Sequence, residues 1–174
     1  MNPPSDPVEL QPPDTHHFSA AIGWQELRNP VEAEAELANI SAPCQIHPDV
    51  LEVRWQVCVA RKDWAAALHV AELLIEYSPS SATGWVHRAY ALRRVPGGGL
   101  EKAWEALLPT IAQFPKMPII PYNLACYAAQ FGRLDEAWDW LHKALEAGEN
   151  IETVKRMALS DSDLQALWER IREW

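Results

Sequence analysis

Three cysteines in 174 residues, Cys44, Cys58 and Cys126, are too few and too irregularly spaced for a disulfide framework or a zinc knuckle. Basic residues are also scarce, 15 against 24 acids. The resulting net charge of −9 and pI near 5.1 argue against a nucleic-acid surface, which draws its affinity from clustered Lys and Arg. No apolar run approaches the ~18 residues that a membrane span requires. The opening MNPPSDPVELQPP has neither a basic n-region nor an apolar h-region. The expectation is a soluble, cytoplasmic protein with no nucleic-acid and no membrane partner. Catalytic signatures are missing as well: there is no GxSxG, HExxH or P-loop and no paired Cys/His spacing. A protein that is not an enzyme, with no cofactor and no metal, is therefore expected.

What is present is enough apolar residue, 48%, to close the core of one globular unit. Pro3, Pro4, Pro7, Pro12 and Pro13 block helix and sheet ladders, so residues 1–13 are expected to form a disordered tail. Charge is distributed unevenly. Residues 1–52 hold nine acids and one base, Arg28, whereas the stretch between Glu76 and Glu101 holds no acid but contains His87, Arg88, Arg93 and Arg94. A local positive field is expected there.

The chain repeats itself. Alanines with an i+4 apolar partner recur as Ala33/Leu37, Ala67/Ala71, Ala103/Leu107 and Ala137/Leu141, at intervals of 34, 36 and 34 residues. The longer interval contains RRVPGGGLEK, a Gly-rich turn two residues longer than its counterpart. Each unit reads as two helices. Leu51, Arg54, Trp55 and Cys58 follow helical spacing, Lys62-Asp63 turns the chain, and Ala67, Val70, Ala71 and Leu74 repeat the spacing. Trp85, Arg88, Ala89 and Leu92 open the next unit, and Pro121, Leu124, Ala125 and Ala128 the one after, with a turn at Phe131-Gly132-Arg133. Pro79 and Pro115 end their units. Hairpins this short must stack to bury their apolar faces.

These residues resemble the tetratricopeptide repeat family, whose pattern runs W-x2-L-G-x2-Y, then A-x3-F, then P. Trp85, Ala103 and Pro115, then Leu124, Ala125, Ala137 and Leu141, then Ala67 and Pro79 carry the match, over roughly residues 14–148. Arg54 and Arg88 stand where the family has Leu, and Trp55 where it has Gly. The resemblance implies an all-α solenoid of stacked antiparallel hairpins. Its repeats would span 14–47, 48–81, 82–117 and 118–150, followed by a capping segment over 151–174: a short helix over 151–158, then a last helix after Ser160-Asp161-Ser162-Asp163 with Leu164, Leu167, Trp168 and Ile171 on one face. Arg54 and Arg88, on apolar stripes, are expected to find carboxylate or carbonyl partners with their stems packed.

Several features have plain structural readings. His16-His17 reads as polar residues at a helix start, Pro96-Gly97-Gly98-Gly99 as a lengthened turn, and Pro109 as a helix kink. Trp24, Trp55, Trp64, Trp85, Trp104, Trp138 and Trp168 fall at or near apolar helix positions, where core packing is the expectation, whereas Trp140 and Trp174 are less explained.

In the resembling family the first helix of each hairpin lines a concave groove that holds an extended peptide or a partner helix. Phe18 and Ile22 open the corresponding stripe here. It continues through Glu52, Gln56 and Val59, then Val86, His87, Tyr90, Arg93 and Arg94, then Tyr122, Asn123, Cys126 and Gln130. The expected function is a non-catalytic scaffold that binds a protein or peptide partner, with the arginines selecting acidic segments. The alternative is a self-associating protein whose groove is filled by its own or a neighbour's N-terminal tail, which leaves homo-oligomerisation open.

Overall fold

The computed structural model describes residues 8–174, and among them regular structure is helical with no strand. The chain divides after Gly99 into two compact units. The first holds α1 (Asp14–Glu26), α2 (Pro30–Ala38), a 3-10 turn at Ala42–Cys44, α3 (Pro48–Ala60), α4 (Trp64–Tyr77) and α5 (Thr83–Leu92). The second holds α6 (Leu100–Leu107), α7 (Thr110–Gln113), α8 (Ile119–Gln130), α9 (Leu134–Glu146), α10 (Ile151–Ser160), a 3-10 segment at Ser162–Leu167 and α11 (Trp168–Arg172). Helices adjacent in sequence pack on one another within each unit, α1 with α2, α3 with α4, α4 with α5, and α8 with α9.

Helix starts follow from capping side chains. Asn29 accepts from Glu32 N, Asp63 from Ala66 N and Asn150 from Glu152 N, each satisfying a first-turn amide that the helix itself leaves open. The turns that end the first helices are more telling. Trp24 O, Cys58 O and Ala128 O each accept from the amide five residues on, at Asn29, Asp63 and Arg133, all at 2.9 Å. The bond closes over a residue in the left-handed region: Arg28 at φ 57°, Lys62 at φ 57° and Gly132 at φ 76°. After α5 the same closure is stretched: Leu92 O accepts from Gly99 N, seven residues on, at 2.9 Å. The two extra residues of the longer repeat therefore lie inside this closure, and the spacing on either side of it is kept. A Cβ at Gly98 would lie 1.9 Å from Leu92 O, so the tightened path admits only glycine there.

The recurrent alanines and their i+4 partners, Ala33/Leu37, Ala67/Ala71, Ala103/Leu107 and Ala137/Leu141, are all fully buried. Each buried leucine contributes about 2 kcal/mol of apolar transfer. Small alanines bring backbones close, and Gly84 goes further: a Cβ there would sit 2.9 Å from Ile75 N and 3.0 Å from Leu74 Cβ, so α4 and α5 meet at that point. In the second unit Trp104 meets Trp140 and Phe131 edge to face, with centroids 6.2 Å and 6.0 Å apart, which accounts for Trp140. Trp174 packs on Trp138 at 4.9 Å.

Three expectations are amended. Residues 1–7 of the expected tail lie outside the described residues. Of the rest of the tail, Leu10 packs against the core around Ala21, Leu37 and Val53, so that part is docked at one side chain. Pro109 ends a helix instead of kinking it: α6 stops at Leu107, whose carbonyl accepts from Thr110 Oγ1 at 2.6 Å, and α7 starts anew. The final helix is split, because Asp161 caps a 3-10 segment by accepting from Asp163 N, and the α-helical turn begins only at Trp168. Leu164, Leu167 and Ile171 are buried as their spacing required. Arg54 finds the expected kinds of partner, donating to Leu37 O with Glu34 at 3.9 Å, and it also donates to Gln45 Oε1.

Candidate functional site

Ten of the fourteen residues of the expected stripe belong to the first unit: Phe18 and Ile22 on α1, Glu52, Gln56 and Val59 on α3, then Val86, His87, Tyr90, Arg93 and Arg94 along α5 and its exit; of these, Phe18 and Val59 pack against the core. The imidazole of His87 lies flat on the indole of Trp55, with centroids 3.5 Å apart and planes 3° from parallel. Its Nε2 is 2.8 Å from Glu52 Oε2, and Gln56 Nε2 donates to the other oxygen of that carboxylate at 3.2 Å. Burial works against the charged form of Glu52. The hydrogen bond and charge of His87, with the Gln56 amide, outweigh it and hold the carboxyl below its ordinary range.

Tyr90 continues the arrangement, edge-on to Trp55 at 5.8 Å and tilted against Trp64 at 6.1 Å. Arg94 caps it. Its guanidinium carbon lies 3.5 Å over the Tyr90 ring and 5.4 Å from that of Trp64, and its Nη1 donates to the Tyr90 carbonyl at 3.0 Å. A guanidinium stacked by its face is oriented while its edge still carries further N–H donors, the geometry that receives a carboxylate. Arg93 is half-buried and held by contacts of its own. The contacts thus run Glu52, His87, Trp55, Tyr90, Arg94, from an acid at one end to a cation at the other, with Trp64 against the last two.

Trp55 is buried in the core as its spacing implied and Trp64 is half-buried, and both also form the floor on which the polar groups are ordered. A signal existed for Trp55, which occupies a position where the resembling family has glycine. An indole there must be covered by the next helix, and His87 covers it.

The remaining four residues are in the second unit and are used differently. Tyr122 OH donates to Asp161 Oδ2 at 3.4 Å, Cys126 Sγ lies 3.4 Å from the same oxygen, and Gln130 Nε2 donates to Asp163 O at 3.0 Å. Tyr122 and Cys126 are buried, because the 3-10 segment Ser162–Leu167 packs on α8. This corrects the expectation that they line an open surface: the chain's own C-terminal segment lies where a peptide was expected. Burial, and after it the neighbouring Cys126 and Asp161, pushes the Tyr122 hydroxyl well above its ordinary pKa. Asn123 Nδ2 donates to Ile119 O at 2.8 Å, within its own helix.

His17 pairs with Glu36 at 2.8 Å, bridging α1 and α2, and His16 is exposed. No group of three or more His, Cys, Asp or Glu that fits a metal ion occurs among the described residues. In the glycine-rich turn Gly98 N donates to Val95 O and Gly99 N to Leu92 O, so these two amides are used within the turn. No described helix is long and apolar enough to cross a membrane. No model of a protein family matches the chain, and no curated protein matches it in sequence.

Proposed function

We propose that this chain is a non-catalytic protein-interaction module built on stacked hairpins of the tetratricopeptide type, and that its contact surface is the α3–α5 face of the first unit. The recurring turn closure supports the repeat reading: acceptors at Trp24, Cys58, Leu92 and Ala128 advance by 34, 34 and 36 residues. The observation that carries the contact surface is the guanidinium of Arg94 stacked on Tyr90, beside the His87–Trp55 pair. Aromatic and arginine side chains held in place before a partner arrives lose little entropy on contact, which is how small surfaces reach useful affinity. The ligand chemistry that fits is an extended acidic segment whose carboxylate meets Arg94 and whose flanking side chains lie over Tyr90.

The test compares capture from native extract by the wild-type chain and by Arg94→Glu and Tyr90→Ala variants, at low and raised salt. A partner lost with Arg94→Glu, and held by the wild type less well as salt rises, supports the reading. Equal retention by all three proteins overturns it. If removing residues 1–7 increases capture, the tail competes for this face, as the self-association alternative requires.

A further inference from the structure

The cavities of the two units differ in chemistry. In the first unit, an opening of about 350 Å³ is lined by Asp49, Glu52, Ser78, Ser81 and Thr83, and another of about 260 Å³ holds the charged groups of Glu34, Arg54, Arg61 and Asp63 around Cys58. Burial, with the charges of Glu34 and Asp63, pushes that thiol up to about 11, so it is an unreactive wall. Neither opening favours one ligand chemistry. The second unit has a smaller cleft of about 120 Å³ lined by Met117, Pro118, Ile119, Tyr122, Ala144 and Met157, with Glu149 as the single charged lining residue.

Size and lining define what enters. An apolar cavity of ~150 Å³ admits a benzene-sized ligand, so this cleft has room for one aliphatic side chain. Two methionines give it adaptable walls, since an unbranched thioether adjusts to different apolar shapes. The Tyr122 hydroxyl is taken up by Asp161, which leaves its ring as the wall. Glu149 Oε1 accepts from Asn150 N at 2.9 Å, which fixes the carboxylate beside the opening. The exposed Glu146 and Glu152 flank it in sequence, against one cation, Lys116, on the turn before Met117. Of the basic residues on the other elements, Lys143 sits 3.8 Å over Trp140 and Lys155 donates to the carbonyls of Arg172 and Trp174, while Arg156, next to Met157, is exposed.

We propose that this cleft is a docking site for a partner protein segment that presents an aliphatic side chain next to a lysine or arginine. The aliphatic group fills the methionine-lined space and the cation meets Glu149. The ligand preference is opposite in charge to that of the α3–α5 face, and the argument uses none of that face's residues.

The sequence supplies its own reporters, because its three methionines are Met1, Met117 and Met157, two of which line the cleft. The full chain carrying ¹³C-methyl methionine is titrated with N-acetyl-Leu-Lys-amide and with N-acetyl-Leu-Glu-amide. The Met117 and Met157 methyl signals are expected to shift with both probes, with the lysine probe binding about threefold more tightly, the scale of one partly exposed ion pair. Glu149→Gln keeps a carbonyl for Asn150 N, so it preserves the turn, and it is expected to abolish the preference. Unmoved methyl signals up to the solubility limit of the lysine probe overturn the proposal. So does equal affinity of the wild type for the two probes.

Discussion

His87 lies face to face on Trp55 at 3.5 Å and reaches Glu52 with its Nε2 at 2.8 Å, so one imidazole ties a carboxylate to an indole across two helices. Both partners are presented by α3 while His87 is presented by α5, which makes this triad a tertiary contact and a sensor of whether the two helices are in register.

Acid should loosen it. The folded-state pKa of Glu52 is depressed below the ordinary 4.5, so its contribution to stability is fully present above that value and is lost as pH falls through the folded pKa. Asp14 has the same sign, held low by the Ser41 hydroxyl and then by the Ser41 amide. His87→Ala should reduce stability by about 1 kcal/mol at pH 7, and the deficit relative to wild type should shrink at an acid pH below the folded pKa of Glu52. Urea unfolding at the two pH values measures this. A deficit that is the same at both would show that only the ring stacking matters.

Gly84→Ala should destabilise the first unit. Alanine gains about 1 kcal/mol in helix propensity, but its Cβ would meet the Ile75 backbone nitrogen at 2.9 Å and Leu74 Cβ at 3.0 Å, neither of which is the free end of a flexible chain. Overpacking of that kind costs about 1–3 kcal/mol, so a net loss is expected in thermal or urea unfolding. A gain in stability would mean that α4 and α5 can part at no cost.

Lys62→Gly should stabilise. Lys62 holds φ 57°, where a Cβ crowds the following carbonyl, and Gly132 fills the equivalent place in a later turn without that strain. Relief of strain less the added entropy of glycine leaves a gain of about 0.5–1 kcal/mol. Arg28→Gly, at φ 57° in the preceding turn, should behave alike. Unchanged urea midpoints for both variants would place the strain elsewhere.

Much of the helical order could be read from the sequence because it depends on local patterns. The alanine spacing marks buried contacts, and Lys62-Asp63 and Phe131-Gly132-Arg133 mark turns that the chain takes at those residues. Proline is read less well: Pro109 forbids one backbone bond, but whether the helix bends or stops depends on Thr110 taking over the Leu107 carbonyl. The candidate site was legible in part. Residue types on one face of α5 follow from helical period alone, whereas the support of Tyr90 and His87 by Trp64 and Trp55 requires knowing which helices touch. The closure of Tyr122 and Cys126 by Asp161 was hidden for the same reason, since the contact joins residues 35 or more positions apart.

The closure from Leu92 O to Gly99 N does the work of a five-residue turn with seven residues, so what the fold holds fixed there is a donor and an acceptor, not a length. Loop closure penalties rise slowly with added residues. Pro96 and Gly97 are exposed at the crest of that turn, which makes the bond between them a graft point: an epitope or a fluorophore-bearing peptide spliced in there leaves Leu92 and Gly99 to find one another as before.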